Sequence, residues 1–311
     1  MFYRDFNDIN DVILKKIHLI PRDIDLIVGI PRSGMLPANL LALYLNLPYV
    51  DIDSFINDKV YDTGERIKNM TTKTKKILVV DDSIGSGKAM QKCRNKLKGF
   101  EIKYTIEFCV IYASPQKKEE VDYYFEVIPF PRYFQWNIFN HVDLEKSCFD
   151  IDGVLCPDPT PDQNDDGKKY LNFISNTPPL YIPGRTVGCI VTSRLEKYRK
   201  ETEQWLSKNN IKYKKLEMLD LPNKEARQKA NNHAQFKASI YESNQYNLFI
   251  ESNLNQAITI NQLSKKPVFC TENFKMIYKS QSLIFNIKRG KHMPFLRKIA
   301  LKLKSSFKLS Y

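Results

Sequence analysis

The stretch ILVVDDSIGSGKAM (Ile77 to Met90) sets two adjacent carboxylates, Asp81 and Asp82, at the end of an apolar run and just before a loop of small residues. A strand accounts for Ile77 to Val80 and a turn for Gly85 and Gly87, but neither accounts for the acid pair. A phosphate is held where a helix begins, by free backbone N–H groups and the positive end of the helix dipole, and glycines let the chain approach it closely. SIGSGK, followed by the helical AMQKCRNKL, supplies that arrangement, and the two acids beside it can accept hydrogen bonds from the vicinal hydroxyls of a ribose 5-phosphate. A second stretch, CFDIDGVL (Cys148 to Leu155), sets Asp150 at the end of a strand and Asp152 two residues on, with Gly153 opening a turn. There one carboxylate can attack a phosphorus atom, the other can protonate the leaving oxygen, and both can help hold Mg²⁺.

Elements of two kinds must position these groups. The first half alternates strand-like runs (DLIVGI, KKILVVDD, KYTIEFCVIYA, DYYFEVI) with helical patterns such as GMLPANLLALYLNL. Continuous β-branched runs separated by helices predict a parallel sheet covered on both faces, with ligands at the carboxyl ends of its strands. A second set follows: KSCFDIDGVL, TVGCIVTS, a helix from Leu195 to Asn209, YKKLEML, a helix around Asn223 to Tyr241, and YNLFIES. The expected fold is therefore α/β, two doubly wound parallel-sheet domains over 1–143 and 144–285, then a basic amphipathic helix over 286–311. A Pro/Asp-rich insertion between CPDPTPDQNDDG and NTPPLYIPGRT reads as a small cap over the second site.

The composition agrees with a cytoplasmic protein. The 311 residues exceed most single cores, and the six cysteines lack any CxxC spacing and read as reduced core thiols. The first residues carry acids where a signal peptide needs an apolar run, and no apolar segment is long enough to span a bilayer. Most of the net charge of +13 comes from the C-terminal tail, where no acid follows Glu272. Phosphate-rich substrates also suit positive charge, so no nucleic-acid partner is expected.

Strand, acid pair and phosphate loop together resemble the phosphoribosyl-diphosphate (PRPP) motif of type I phosphoribosyltransferases. VGIPRSGMLPA resembles that family's pyrophosphate loop, and PFPRYFQWNIF falls where the family builds a hood over its acceptor. The resemblance implies a PRPP site made by Arg32, Ser33, Gly34, Asp81, Asp82, Ser83, Gly85, Ser86, Gly87 and Lys88, with Asp81 and Asp82 also catalytic. It departs from the family in having Ser83, Ser86 and Lys88 where a Thr-rich loop is usual. Pyrophosphate would be displaced at the anomeric carbon through an oxocarbenium-like transition state, helped by Mg²⁺ and basic groups. Asn57 to Lys75 resembles in position the family's mobile loop, where Arg66 or Lys68 could reach the diphosphate. Domains of this kind commonly dimerise, which leaves a homodimer open.

The DxDGV pattern resembles motif I of the haloacid dehalogenase (HAD) superfamily, whose DxD forms are chiefly phosphatases. This implies Asp150 as nucleophile, Asp152 as general acid/base, Thr192 as the hydroxyl on the transferring phosphoryl and Lys237 as the balancing cation. Mg²⁺ would sit on Asp150, Asp152 and Glu251, with one Glu where the superfamily has one or two Asp. His233, one helical turn before Lys237, reads as a helix-surface histidine.

From Pro294 to Leu309, apolar residues fall on one helical face between Lys and Arg, the pattern of an interfacial helix on an anionic leaflet, where each basic residue adds about 1 kcal/mol. A transferase of ribose 5-phosphate joined to a phosphatase resembles the dual-domain ribofuranosyltransferases of bacterial surface-polysaccharide assembly. That resemblance implies PRPP, a lipid-linked glycan acceptor and a peripheral place on the inner face of the cell membrane. Two alternatives stay open: a nucleobase phosphoribosyltransferase fused to a nucleotidase, and a PRPP-sensing module tethered to a phosphatase.

Overall fold

A run that is apolar at every position needs cover on both faces, and Ile77 to Val80 obtains it. The computed structural model describes residues 1–59, 75–243 and 245–278 and divides between Trp136 and Asn137 into two units. The first contains β1 (Phe2–Arg4), α1 (Phe6–Lys16), β2 (Leu26–Gly29), α2 (Met35–Leu45), β3 (Tyr49–Asp51), α3 (Ile52–Ile56), β4 (Lys76–Ile84), α4 (Lys88–Lys96), β5 (Thr105–Ala113), β6 (Tyr123–Val127) and β7 (Arg132–Phe134). Five strands form a wholly parallel sheet in the order β3-β2-β4-β5-β6. Leu78 and Val80 join a core with Ile9, Ile13 and Leu41 of α1 and α2, while Ile77 and Val79 join another with Met90 and Cys93 of α4. Alternate residues of one strand thus fill opposite layers. Apart from this sheet, β1 pairs in parallel with β7, tying the chain's first residues to the aromatic segment read as a hood.

The second unit contains β8 (Ser147–Phe149), α5 (Lys168–Asn176), β9 (Val187–Leu195), α6 (Arg199–Lys208), β10 (Tyr213–Leu219), α7 (Lys224–Ala230), α8 (His233–Ser243), β11 (Leu248–Glu251), α9 (Leu254–Ser264), β12 (Val268–Cys270) and β13 (Lys275–Ile277). Its sheet runs β10-β9-β8-β11-β12-β13, parallel except for β13. Only four residues separate β12 from β13, too few for a crossover, so β13 is antiparallel. The Cys148, Cys189 and Phe249 side chains meet Ala238, Tyr241 and Ala257 in one core layer.

Three local readings differ from expectation. The strand carrying the acid pair does not stop before it: β4 continues to Ile84, pairing Ser83 with Tyr112 and Ile84 with Ala113. The helix expected from Leu195 begins at Arg199, because β9 extends through Leu195. The helix expected from Asn223 to Tyr241 is two, since Asn231 closes α7 in the left-handed region at φ 42°. All six cysteines are buried and free. Among the described residues no helix is long and apolar enough to cross a membrane. The tail over 286–311, and the stretch with Arg66 and Lys68, lie outside the described residues.

Candidate active sites

In the first unit the loop after β2 meets β4 at the carboxyl end of the sheet. Ile30 donates its backbone N–H to the Val80 carbonyl at 2.9 Å, which lays the IPRSG loop against the acid pair. Gly34 is what allows this approach: a Cβ there would stand 2.5 Å from the Ile30 carbonyl oxygen and 2.8 Å from Asp81 Oδ1. Both oxygens of Asp82 accept hydrogen bonds, from Ser33 Oγ at 3.0 Å and from Trp136 Nε1 at 2.7 Å. Asp81 Oδ1 accepts from the Asp82 backbone N–H at 2.8 Å. Both acids are buried, and burial, with the Asp82 charge adding to it, holds the Asp81 carboxyl well above the usual range.

The loop read as phosphate-binding follows β4. Gly87 caps the N-terminus of α4, Lys88 begins that helix, and Ser86, Lys88 and Arg32 are exposed. Ser83 and Gly85 are half-buried. The ten residues expected at a PRPP site therefore come from the β2–α2 loop, the end of β4 and the start of α4. Two neighbours were not foreseen. Arg132 is buried under the rings of Phe130 and Phe134, 4.8 and 5.6 Å from its guanidinium carbon, and a Cβ on Gly85 would stand 2.9 Å from Arg132 Nη2. Burial lowers the Arg132 pKa, with Asp82 pulling the other way. Trp136 stacks on Phe134, with 4.9 Å between ring centroids, which aims its N–H at Asp82.

In the second unit Asp150 follows β8, and its backbone N–H bonds the Ile250 carbonyl of β11 at 3.0 Å, bringing it level with Glu251. Lys237 of α8 joins the two acids: its Nζ donates to Asp150 Oδ2 at 2.6 Å, to Glu251 Oε2 at 2.7 Å and to Gln256 Oε1 at 3.1 Å. Burial works against the Lys237 charge, but Asp150 and Glu251 outweigh it and raise its pKa. Burial also pushes Asp150 up to about 8, with Glu251 and Asp152 adding to the push and Lys237 opposing it. Gly153, at φ +78°, carries the chain back; a Cβ there would lie 2.2 Å from Ser252 Oγ.

Asp152 is held by a residue that the sequence reading missed. Arg194, fully buried at the end of β9, donates from Nη2 to Asp152 Oδ1 at 2.7 Å and from Nε to both carboxylate oxygens at 3.2 Å. Its signal was the arginine two positions after Thr192 on an apolar strand. The expected metal set is consequently engaged otherwise: Lys237 takes Asp150 and Glu251, and Arg194 takes Asp152. Among the described residues no three His, Cys, Asp or Glu side chains converge as a metal-holding group, so these acids as placed do not fit a divalent ion.

A cavity of about 250 Å³ opens beside Asp150, Asp152 and Lys237. Asp158, Pro159, Asn164 and Tyr170 of the insertion read as a cap line the cavity. Thr192, expected to face the phosphoryl group, is fully buried and its Oγ1 accepts from the Arg194 backbone N–H at 3.2 Å. Because β9 runs on past it, the next residue, Ser193, lines the cavity instead. His233 likewise is no surface histidine. It starts α8 against the cavity, its Nδ1 buried without a partner, and burial with the charges of Arg227 and Lys237 lowers its pKa.

Residues 4–143 match the family described as Phosphoribosyl transferase domain. The xanthine-guanine phosphoribosyltransferase of Chromohalobacter salexigens is 31% identical over 108 residues, 34% of this chain and 63% of that protein. A protein of the same name from Idiomarina loihiensis is 29% identical over 101 residues, 31% of this chain and 59% of its own. The chain thus spans about three fifths of the length of these curated relatives. Among solved structures, the purine phosphoribosyltransferase from Pyrococcus horikoshii is similar at 20% identity and a TM-score of 0.32, over 43% of this chain and 93% of that one. The N-terminal part of the chain contains a type I phosphoribosyltransferase domain.

Proposed function

We propose that the chain carries out two consecutive reactions, transfer of 5-phosphoribosyl from PRPP by the first unit and hydrolysis of a phosphomonoester by the second. The observation that carries the first is the Asp81–Asp82 pair held against the IPRSG loop and the N-terminus of α4. The ribose hydroxyls would exchange for the present partners of Asp82, and the 5-phosphate would rest on the backbone N–H groups ahead of α4. The bond from the anomeric carbon to the diphosphate breaks as the acceptor's bond forms. Arg32 and Lys88, both exposed, would meet that charge. Mg²⁺ would arrive on the diphosphate and neutralise part of its charge.

The second reaction rests on the Asp150–Lys237–Glu251 group beside a cavity. Asp150 would attack phosphorus, Lys237 would balance the charge of the aspartyl-phosphate, and Asp152 would exchange protons with the leaving oxygen and the attacking water. All three line the cavity.

Two acceptors are in view. The names of the curated relatives support a nucleobase, which makes the chain a base phosphoribosyltransferase joined to a nucleotidase. The other is a glycan, probed as a lipid-linked sugar, on which transfer and dephosphorylation leave a ribofuranosyl group. What favours it is the second unit, since making a nucleotide only to dephosphorylate it is futile. In this reading the basic tail over 286–311 holds the chain on an anionic leaflet. Incubating PRPP with xanthine, guanine or glycan acceptors and following pyrophosphate release separates them: release with a base alone supports salvage, and release with a glycan alone supports ribofuranosyl transfer. No release with any acceptor contradicts transfer altogether.

A further inference from the structure

Asp82 meets its ligand already satisfied. It is 4% exposed, with Ser33 Oγ on Oδ1 at 3.0 Å and Trp136 Nε1 on Oδ2 at 2.7 Å. A carboxylate only accepts, so a ribose hydroxyl bonds it as these two donors do and competes with them for the same oxygens. The two donors are held differently. Ser33 belongs to the IPRSG loop, which Gly34 lets lie so close that a Cβ there would stand 2.8 Å from Asp81 Oδ1. Trp136 comes from a separate segment and is half-buried, so its N–H meets solvent when released.

The packing of that segment aims the indole. Arg4 of β1 pairs with Phe134 of β7, and the Phe6 N–H donates to Gln135 Oε1 at 3.1 Å, which ties down the backbone just ahead of Trp136. The indole lies nearly parallel to the Phe134 ring, at 9° and 4.9 Å between centroids, with Phe6 tilted against it at 5.8 Å. Phe134 in turn stacks on the buried Tyr112 at 5.2 Å. An indole has one donor and no acceptor, so this stack sets the direction of a single N–H, and that N–H points at Asp82.

We infer that Trp136 is a positioning residue of the PRPP site, its N–H standing on Asp82 Oδ2 in the place of a ribose hydroxyl, and that PRPP displaces it on binding. The bond therefore steadies the free protein and weakens its hold on PRPP. A charge-assisted hydrogen bond is present before binding and absent after it, so breaking it reduces the affinity. In Trp136→Phe, which keeps an aromatic ring in the stack, the free chain loses this bond and the bound chain does not. Stability and affinity then move in opposite directions, whereas a side chain that only filled space would lower both on removal. The inference rests on the phosphoribosyltransferase reading of the first unit and names the partner of Asp82 that PRPP replaces.

The test is calorimetry of PRPP binding to the full chain, native and Trp136→Phe, with thermal unfolding beside it. The expected Kd for PRPP falls about tenfold in Trp136→Phe, the scale of one such bond, while the unfolding temperature without PRPP also falls. A second measurement leaves Trp136 in place. The chain has two tryptophans, and Trp205 is 1% exposed in the second unit with its Nε1 on the Thr177 carbonyl at 2.7 Å, so in Trp205→Phe the emission is that of Trp136 alone. PRPP and ribose 5-phosphate should shift that emission, and pyrophosphate, which carries no sugar hydroxyl, should not. A Kd unchanged or raised in Trp136→Phe, or emission unmoved at saturating PRPP, overturns the displacement and leaves PRPP binding standing. No PRPP binding by the native chain overturns the phosphoribosyltransferase reading, and the inference with it.

Discussion

At the scale of single residues, the second site is governed by charge balance. Three carboxylates, Asp150, Asp152 and Glu251, share two cations, Lys237 and Arg194, so one negative charge is in surplus where water is scarce. Burial pushes Asp150 up to about 8, with the Glu251 and Asp152 charges adding to it and Lys237 opposing it. A nucleophile must be ionised, so kcat/KM for phosphomonoester hydrolysis should rise with pH up to an inflection near 8, a macroscopic value belonging to the cluster. A flat profile from pH 6 to 9 would contradict this. The stability effect runs the other way. A carboxyl raised by folding contributes fully below its unfolded pKa, about 3.9, and the contribution is lost as pH rises to about 8. Asp150→Asn should therefore lose less thermal stability than the native chain between pH 4 and 8. Arg194→Gln leaves Asp152 without its bidentate partner, and kcat should drop about 100-fold, a cost typical of misplaced acid/base groups. Unchanged kcat in a folded Arg194→Gln protein would remove Arg194 from any positioning role.

At the scale of elements, the account turns on where strands stop and helices break. The doubly covered sheet was readable because Ile77 to Val80 is apolar at every position, and the loops after β2 and β4 because glycines sit where α2 and α4 start. Thr192 was misplaced because apolar pattern does not tell whether β9 ends at Thr192 or at Leu195, and one residue of register changes which side chain meets the cavity. The split of α7 from α8 had a weak signal, Asn231 followed by Asn232, and Asn tolerates the left-handed backbone. Asn231→Gly should preserve stability, whereas Asn231→Val should cost about 1–2 kcal/mol in thermal or urea unfolding. Equal stabilities would mean that this residue does not set the break. Gly34 belongs here too. Gly34→Ala drives a methyl into the Ile30 carbonyl and Asp81, so PRPP-dependent pyrophosphate release should fall by at least about 100-fold. Hydrolysis of p-nitrophenyl phosphate should continue, and its equal loss would contradict separate sites.

At the scale of the whole molecule, the length foretold two units and the first motif foretold the phosphoribosyltransferase domain, but nothing in a motif names an acceptor. Arg132 and Trp136 show why: they reach Gly85 and Asp82 from about fifty residues further along the chain, which no local pattern announces. The most direct measurement is mass spectrometry of acceptors, both bases and lipid-linked or synthetic glycans, incubated with PRPP, Mg²⁺ and the Asp150→Asn variant. The account predicts an acceptor heavier by one phosphoribosyl unit, which loses only its phosphate when native protein is added. An acceptor that gains nothing, or a phosphorylated product that native protein leaves untouched, would contradict two consecutive reactions on one chain.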